Sequence, residues 1–298
     1  MSTLKALIKR NVKLFFKDKG MFLTSLITPV ILLVLYATFL GKIYRDSFLL
    51  SIPEGVAFPE KLLNGLVGGQ LISSILAVSC VTVAFCSNFL MVQDKANGSI
   101  RDLRISPVKS SVLSMSYYIA SFASTMIICT VAAIICFIYV AVIGWYLSAL
   151  DVILVFLDIL LLVLFGTALS SIINYFLSSQ GQISAVGTIV SSGYGFISGA
   201  YMPISQFTDA LQTVISFLPG TYGTSLLRNH AMRGAFAEMQ KEGFSDVIVE
   251  EMKDAIDCNL YFFGTKVSIP VMYAILIVTI LVLITTYVLI NRFARKQS

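Results

Sequence analysis

Long uninterrupted apolar runs alternate with short polar segments along this chain. A hydrocarbon layer about 30 Å thick takes roughly 20 helical residues to cross. Six runs reach that length: residues 21–41, 65–92, 112–143, 152–177, 183–202 and 269–291. None shows the alternation over about ten residues that a membrane barrel needs, so each reads as a helix that satisfies its own backbone hydrogen bonds. The pattern predicts an all-α membrane protein, its third run long enough to tilt or project. Ahead of the first run, Leu4, Leu7, Ile8, Val12, Phe15 and Phe16 recur at helical spacing with lysines on the other face. Residues 1–20 are therefore expected to form an amphipathic helix in the interface, by simple anchoring or with a further role, and to enter the first span through an elbow near 18–20. Residues 21–298 form the transmembrane domain, within which 203–268 are expected to make a re-entrant hairpin and an extracellular loop.

Composition sharpens the class. The chain is 57% hydrophobic and 12% charged, with a mean hydropathy of +0.88, which excludes an ordinary soluble domain. Thirteen Lys and Arg fall on the side of both termini, in dense clusters at 5–19, 95–109 and 292–296; eight are spread over longer loops on the other side. By the positive-inside rule both termini are expected in the cytoplasm. Twelve of the sixteen carboxylates fall in the outer loops, so the net charge of +5 is an orientation signal and not a nucleic-acid footprint. The first run is too long for a signal-peptide core and lacks a small-residue cleavage site, so it is expected to stay as an anchor. Cys80, Cys86, Cys129 and Cys136 fall in spans and Cys258 in an outer loop, which implies no intrachain disulfide.

One polar stretch stands apart. Residues 94–111 (DKANGSIRDLRISPVKSS) form an eighteen-residue island between the second and third runs. A glycine, an amphipathic stretch over 99–105 and a Ser106-Pro107 stop predict a helix of one to two turns, too short to be stable without packing. It reads as a solvated loop or as a contact device. Gly187, Ser191, Gly195 and Gly199 recur every four positions along the fifth run, a stripe suited to close packing against a second copy or another span. Residues 204–218 are too short and polar to span, yet Phe207, Leu211, Val214, Ile215 and Leu218 share one face, which predicts a re-entrant turn. Asp158 lies inside the fourth run, as a cation or proton site or as a neutral or paired carboxylate near the interface. In the outer segment 229–268, Ser245 is placed to cap a helix to about residue 258 with Ile248, Met252, Ala255 and Ile256 on one face. His230, the only histidine, is expected at the surface, and no His-based metal site or triad is implied. Phe85, Phe89, Tyr117, Tyr118, Tyr194 and Phe196 supply aromatic surface within spans, as a substrate pathway or as ordinary packing.

The succession Asp94, Lys95, Gly98, Ser99, Ile100, Leu103, Ile105, Ser106 and Pro107 resembles the cytoplasmic loop of ABC-2 type transporter permeases. A second stretch, with Ser198, Gly199, Pro203, Pro219, Thr221, Tyr222, Leu227 and Arg228, is similar to the pattern that follows the fifth span in that family. The likeness runs from the interfacial helix to the short basic tail. It implies a six-span, type V exporter-like fold in which the island is a coupling helix set in a groove of a separate ATPase subunit. Asp94, Gly98, Ser99, Arg101, Leu103, Arg104, Ile105 and Pro107 would make that contact, with Leu103 and Ile105 as apolar anchors and Arg101, Arg104 and Lys109 facing acidic rim groups. Pro107 would end the helix. The resemblance also implies a homodimer, or a heterodimer with a similar permease, packed on the glycine stripe. An outer gate would be formed by Pro203, Phe207, Leu211, Pro219 and Tyr222.

No phosphate-cradling loop occurs in this sequence, because its one Gly-Lys pair, Gly41-Lys42, is followed by Ile43. No cofactor is expected in the chain; ATP and Mg would belong to the partner. The expected function is ATP-driven export of a hydrophobic or amphipathic compound (a drug, antibiotic, lipid or peptide) across a bacterial plasma membrane by alternating access. Polysaccharide export is the alternative within the class, and an ion channel or ion-coupled carrier using Asp158 is the alternative outside it. The expected partners are an ABC ATPase, a second permease copy and membrane lipid, with no nucleic acid.

Overall fold

The computed structural model describes residues 2–50, 52, 58–105 and 108–293. Ser106 and Pro107, the expected stop of the island helix, lie outside them, as does the side chain of Arg104. α1 (Ser2–Lys17) buries Leu7, Asn11 and Phe15 and leaves Lys5, Lys9, Lys13 and Lys17 exposed. The expected elbow is an N-cap: the Asp18 carboxylate accepts from the Met21 N–H at 3.0 Å and starts α2 (Lys19–Leu35). α2 continues through a π turn (Tyr36–Leu40) into α3 (Gly41–Leu50), well past the end of the first apolar run, because the amphipathic continuation buries Tyr44 and Phe48. The π turn presents Tyr36, whose hydroxyl bonds Ser74 Oγ at 3.0 Å and whose ring stacks on Tyr44 at 5.7 Å.

α4 (Glu60–Ala96) is the axis of the fold. It is apolar all round and therefore packed all round, by α2, α6 (Ser110–Ile143), α7 (Ala149–Phe176), α8 (Gln180–Ile197) and α10 (Pro219–Lys241). A helix of this length rises about 55 Å, more than the hydrocarbon layer, so its ends project beyond it. Ser73, Ser79, Thr82 and Ser87 donate their hydroxyls to carbonyls three or four residues back, which hides polar groups inside an apolar bundle. The Asn88 amide donates to Ser170 and Ser171 of α7 at 3.1 and 2.7 Å. Capping boxes at Ser148/Asp151 and Ser179/Gln182 fix the starts of α7 and α8. α12 (Ile269–Phe293) closes the bundle against α7 and α10. Short elements fill the ends: α5 (Ser99–Ile105), α9 (Asp209–Ser216), α11 (Asp246–Ala255) and a hairpin of β1 (Leu260–Phe262) and β2 (Thr265–Val267).

Among the described residues five helices are long and apolar enough to cross a membrane: Lys19–Leu50, Glu60–Ala96, Ser110–Ile143, Ala149–Phe176 and Ile269–Arg292. The protein is a multi-pass, predominantly helical membrane protein. The run 183–202 gives only the 18-residue α8, which stops at Ile197 because Gly199 takes a left-handed φ of 72° and turns the chain. Residues 229–241, expected in an outer loop, are instead the second half of α10, which starts with Pro219 in its first turn. That helix buries Leu226, Leu227, Met232, Phe236 and Met239. Hydropathy missed it because Arg228, Asn229, His230 and Arg233 dilute the apolar signal, and these polar groups find partners in the packed bundle. α11 forms as expected behind Ser245, whose Oγ accepts from the Ile248 N–H at 3.4 Å, but it buries Val249 and Met252 and leaves Ala255 exposed. The hairpin is a small departure from an all-α fold, set by the turn at Phe263 and Gly264, both at positive φ.

Candidate functional site

The island end of α4 carries Asp94 and Lys95, successive residues whose side chains leave in different directions. Asp94 is 7% exposed. Arg10 of α1 donates to its two oxygens at 2.8 and 3.4 Å, and Tyr117 of α6 donates at 2.5 Å. The hydrogen bond to Asp94 holds the Arg10 guanidinium above its ordinary value. Beside this cluster Asn11 donates to Ser116 Oγ at 3.3 Å. Lys95 turns to α7: its Nζ donates to the carbonyls of Asn174, Tyr175 and Leu177 at 3.3, 2.5 and 3.2 Å, and lies 5.1 Å from the centre of the Tyr175 ring. The last carbonyls of a helix have no partners within it and carry its negative dipole end, so a lysine there is both a cap and a charge partner.

Gly98 then takes φ 79° with open space where a Cβ would stand, and α5 follows. On α5, Ser99 is half-buried, Ile100 is buried, Leu103 is half-buried against the core, Arg101 and Asp102 are exposed, and Ile105 is 85% exposed. Two of the expected contact residues are engaged within the chain. Asp94 is an internal anchor, because Arg10 and Tyr117 occupy its oxygens in a buried setting. Leu103 turns toward its own chain and leaves Ile105 as the projecting apolar side chain.

At the opposite end, α8 gives way to a turn in which the Ala200 and Tyr201 N–H groups return to the Gly195 carbonyl. Pro203 opens a 3-10 turn (Ile204–Gln206), Phe207 follows half-buried, and Leu211 on α9 is 40% exposed. Pro219 starts α10, and the buried Tyr222 donates to the Ser216 carbonyl at 2.6 Å. These segments are joined by a residue that sequence reasoning placed only in a motif. Arg228 is fully buried on α10; it donates to the Gly199 carbonyl at 2.8 Å and to the Ile256 carbonyl, and lies 3.5 Å from Asp257. Asp257, at a left-handed φ of 55°, accepts from the Ile204 N–H at 2.7 Å. Burial pushes its carboxyl up to about 6, against the opposing pull of Arg228 and of the Ile204 N–H.

Asp158 sits at 0% exposure in a tie between three helices. It pairs with His230 Nδ1 of α10 at 2.6 Å and accepts from the Tyr273 hydroxyl of α12 at 2.7 Å. His230 is therefore no surface residue: it is buried at 4% exposure and stacks on Tyr273. A lone histidine in a polar stretch gave no sign of that partner, which lies 72 residues away.

The glycine stripe does not run unbroken. Gly195 lies under the Tyr201 ring and Gly199 falls beyond the end of α8, whereas Gly187, which touches Phe89, and Ser191 border open clefts. The aromatic residues do not line one pathway either. Phe85 is buried in α4, Tyr117 serves Asp94, Tyr118 packs on Tyr287 at 6.0 Å, and Tyr194 packs on Gly220. Phe89 and Phe196 do border open clefts, both between α2 or α3 and α8, and Ser191 borders both. The larger cleft, about 850 Å³, faces Ile31, Leu35 and Phe39 toward Phe196, Tyr201 and Pro203; the smaller, about 570 Å³, lies between Met21, Ile27 and Gly187.

Comparison with curated proteins gives no match. Comparison with family models gives one to the ABC-2 type transporter over residues 2–231, which takes in α1, the island, the turn after α8 and the Arg228 segment of α10. Sequence pattern, helical membrane architecture and family match agree, and the chain belongs to the ABC-2 type transporter family.

Proposed function

We propose that this permease docks a separate ABC ATPase through α5, with α5 and both termini in the cytoplasm, and exports a hydrophobic or amphipathic compound. The observation that carries the reading is Ile105, a large apolar side chain left 85% exposed at the end of a short helix that stands off α4 on Gly98. A free isoleucine flanked by exposed Arg101 and Asp102 suits a groove with an apolar floor and a charged rim. α8 rises about 27 Å, close to the thickness of the hydrocarbon layer, and serves as a sixth crossing from which residues 198–218 turn back as the outer gate. A second permease copy covers the clefts between α2 and α8, whose apolar walls suit an apolar or amphipathic cargo. Asp158 is occupied by His230 and Tyr273, which favours a structural tie over an ion site.

The test is affinity capture of the detergent-solubilised protein from its native membrane, with mass spectrometry and an ATP hydrolysis assay. Stoichiometric recovery of an ABC ATPase, lost with Ile105→Asp while the permease stays folded, is the expected result. A clean oligomer of this chain without an ATPase would refute the docking reading.

A further inference from the structure

We propose that Asp94 and Lys95 form a transmission joint that passes movement of α5 to three other helices at once, as positioning residues for transport. The proposal rests on α5 being the ATPase contact. The two residues are about 100° apart on α4, and each is committed to different neighbours. Asp94 holds α1 through Arg10 and α6 through Tyr117; Lys95 holds the end of α7 through three carbonyls. Little slack separates them from α5. The Asn97 N–H donates to the Gln93 carbonyl at 2.9 Å, the Gly98 N–H to the Lys95 carbonyl at 3.2 Å, and the Arg101 N–H to the Gly98 carbonyl at 2.8 Å. A push on α5 therefore reaches the interfacial helix and the bundle together. The α7 branch continues to the opposite end, because α7 is tied to α10 by Asp158 and His230, and α10 carries Arg228 at the turn after α8.

The test uses the complex captured with its ATPase and needs no knowledge of the cargo. Gln206→Cys is the reporter: position 206 is exposed, whereas all five native cysteines are buried. Labelling by a membrane-impermeant maleimide is compared with and without ATP plus vanadate, and the wild-type complex is expected to change by roughly threefold or more. Lys95→Met and Arg10→Gln are expected to retain ATPase capture and ATP hydrolysis while losing most of that change, and Lys95→Arg is expected to restore it. Tyr117→Phe removes a single hydrogen bond to Asp94 and is expected to lose part of the change, which provides a reading should either larger substitution fail to fold. An undiminished nucleotide response in Lys95→Met, Arg10→Gln and Tyr117→Phe would overturn the joint. So would loss of ATPase capture in the folded variants, which would make these docking residues. A wild-type complex that lacks an ATPase, or whose reporter ignores nucleotide, would instead overturn the docking reading, and the joint with it.

Discussion

Lys95 and Arg228 stand at opposite ends of the bundle, and each gives its charge to backbone carbonyls, yet the structures they hold differ. Lys95 takes the final carbonyls of α7, the end of a long regular helix, and its neighbour Asp94 is bonded from two sides. Arg228 takes carbonyls of two turns, in which Gly199 and Asp257 have φ of 72° and 55°, and its own Nε has no partner among the described residues. A buried polar group without a partner costs about 1–3 kcal/mol, and a left-handed non-glycine residue costs about 1–2 kcal/mol more. The island end thus couples the ends of regular helices through charged side chains, with only the buried Asn174 side chain beside Lys95 lacking a partner among the described residues of that site. The opposite end holds irregular turns, one of them at the left-handed Asp257, tied together by a single buried arginine, which suits a segment that must open.

The sharpest way to break the comparison is Arg228→Leu. It leaves Asp257 buried without its cation and should cost about 3–5 kcal/mol, read as a large fall in thermal midpoint with the end containing residues 199–206 opening first in hydrogen exchange. A pH series addresses the same cluster. The folded-state value of Asp257, about 6, lies above the ordinary carboxylate value of 3.8, so the folded state favours the proton. The resulting stabilisation is complete below the ordinary value, falls as pH rises through about 6, and is worth about 3 kcal/mol at most. Protection of residues 199–206 should accordingly decline between about pH 4 and pH 7 in the native chain. Asp257→Asn should remove that slope.

At the island end, Lys95→Met should cost only about 1–2 kcal/mol, since water can reach part of the α7 terminus, while costing far more in coupling. Gly98→Ala meets no neighbouring atom among the described residues but must adopt positive φ, so about 1 kcal/mol is expected by thermal unfolding, with ATPase capture retained. Ile105→Asp should change stability by less than about 0.5 kcal/mol, as an exposed substitution, and abolish capture.

Several of these features were legible before the fold was known. Five of the six apolar runs form helices long and apolar enough to cross, because backbone satisfaction in lipid leaves few alternatives. The island, its glycine and its short helix followed from local turn chemistry, and Asp18 and Ser245 could be read near helix starts. What pattern could not reach was pairing over distance. Asp94 read as a surface contact because its partners, Arg10 and Tyr117, lie 84 and 23 residues away. α10 read as a loop because burial of Arg228 and His230 depends on Gly199, Ile256 and Asp158, none of which is local. One available signal was overlooked: the sequence after α7, LSSQ, offers no glycine cap, so the last carbonyls of that helix needed an outside donor.

The most direct test of the account is hydrogen exchange on the captured permease–ATPase complex, with and without ATP plus vanadate, comparing residues 94–98 with residues 199–206 and 256–258. The account predicts that nucleotide leaves 94–98 protected while exchange in the other two segments rises together. Loosening at 94–98 with an unchanged opposite end would contradict it.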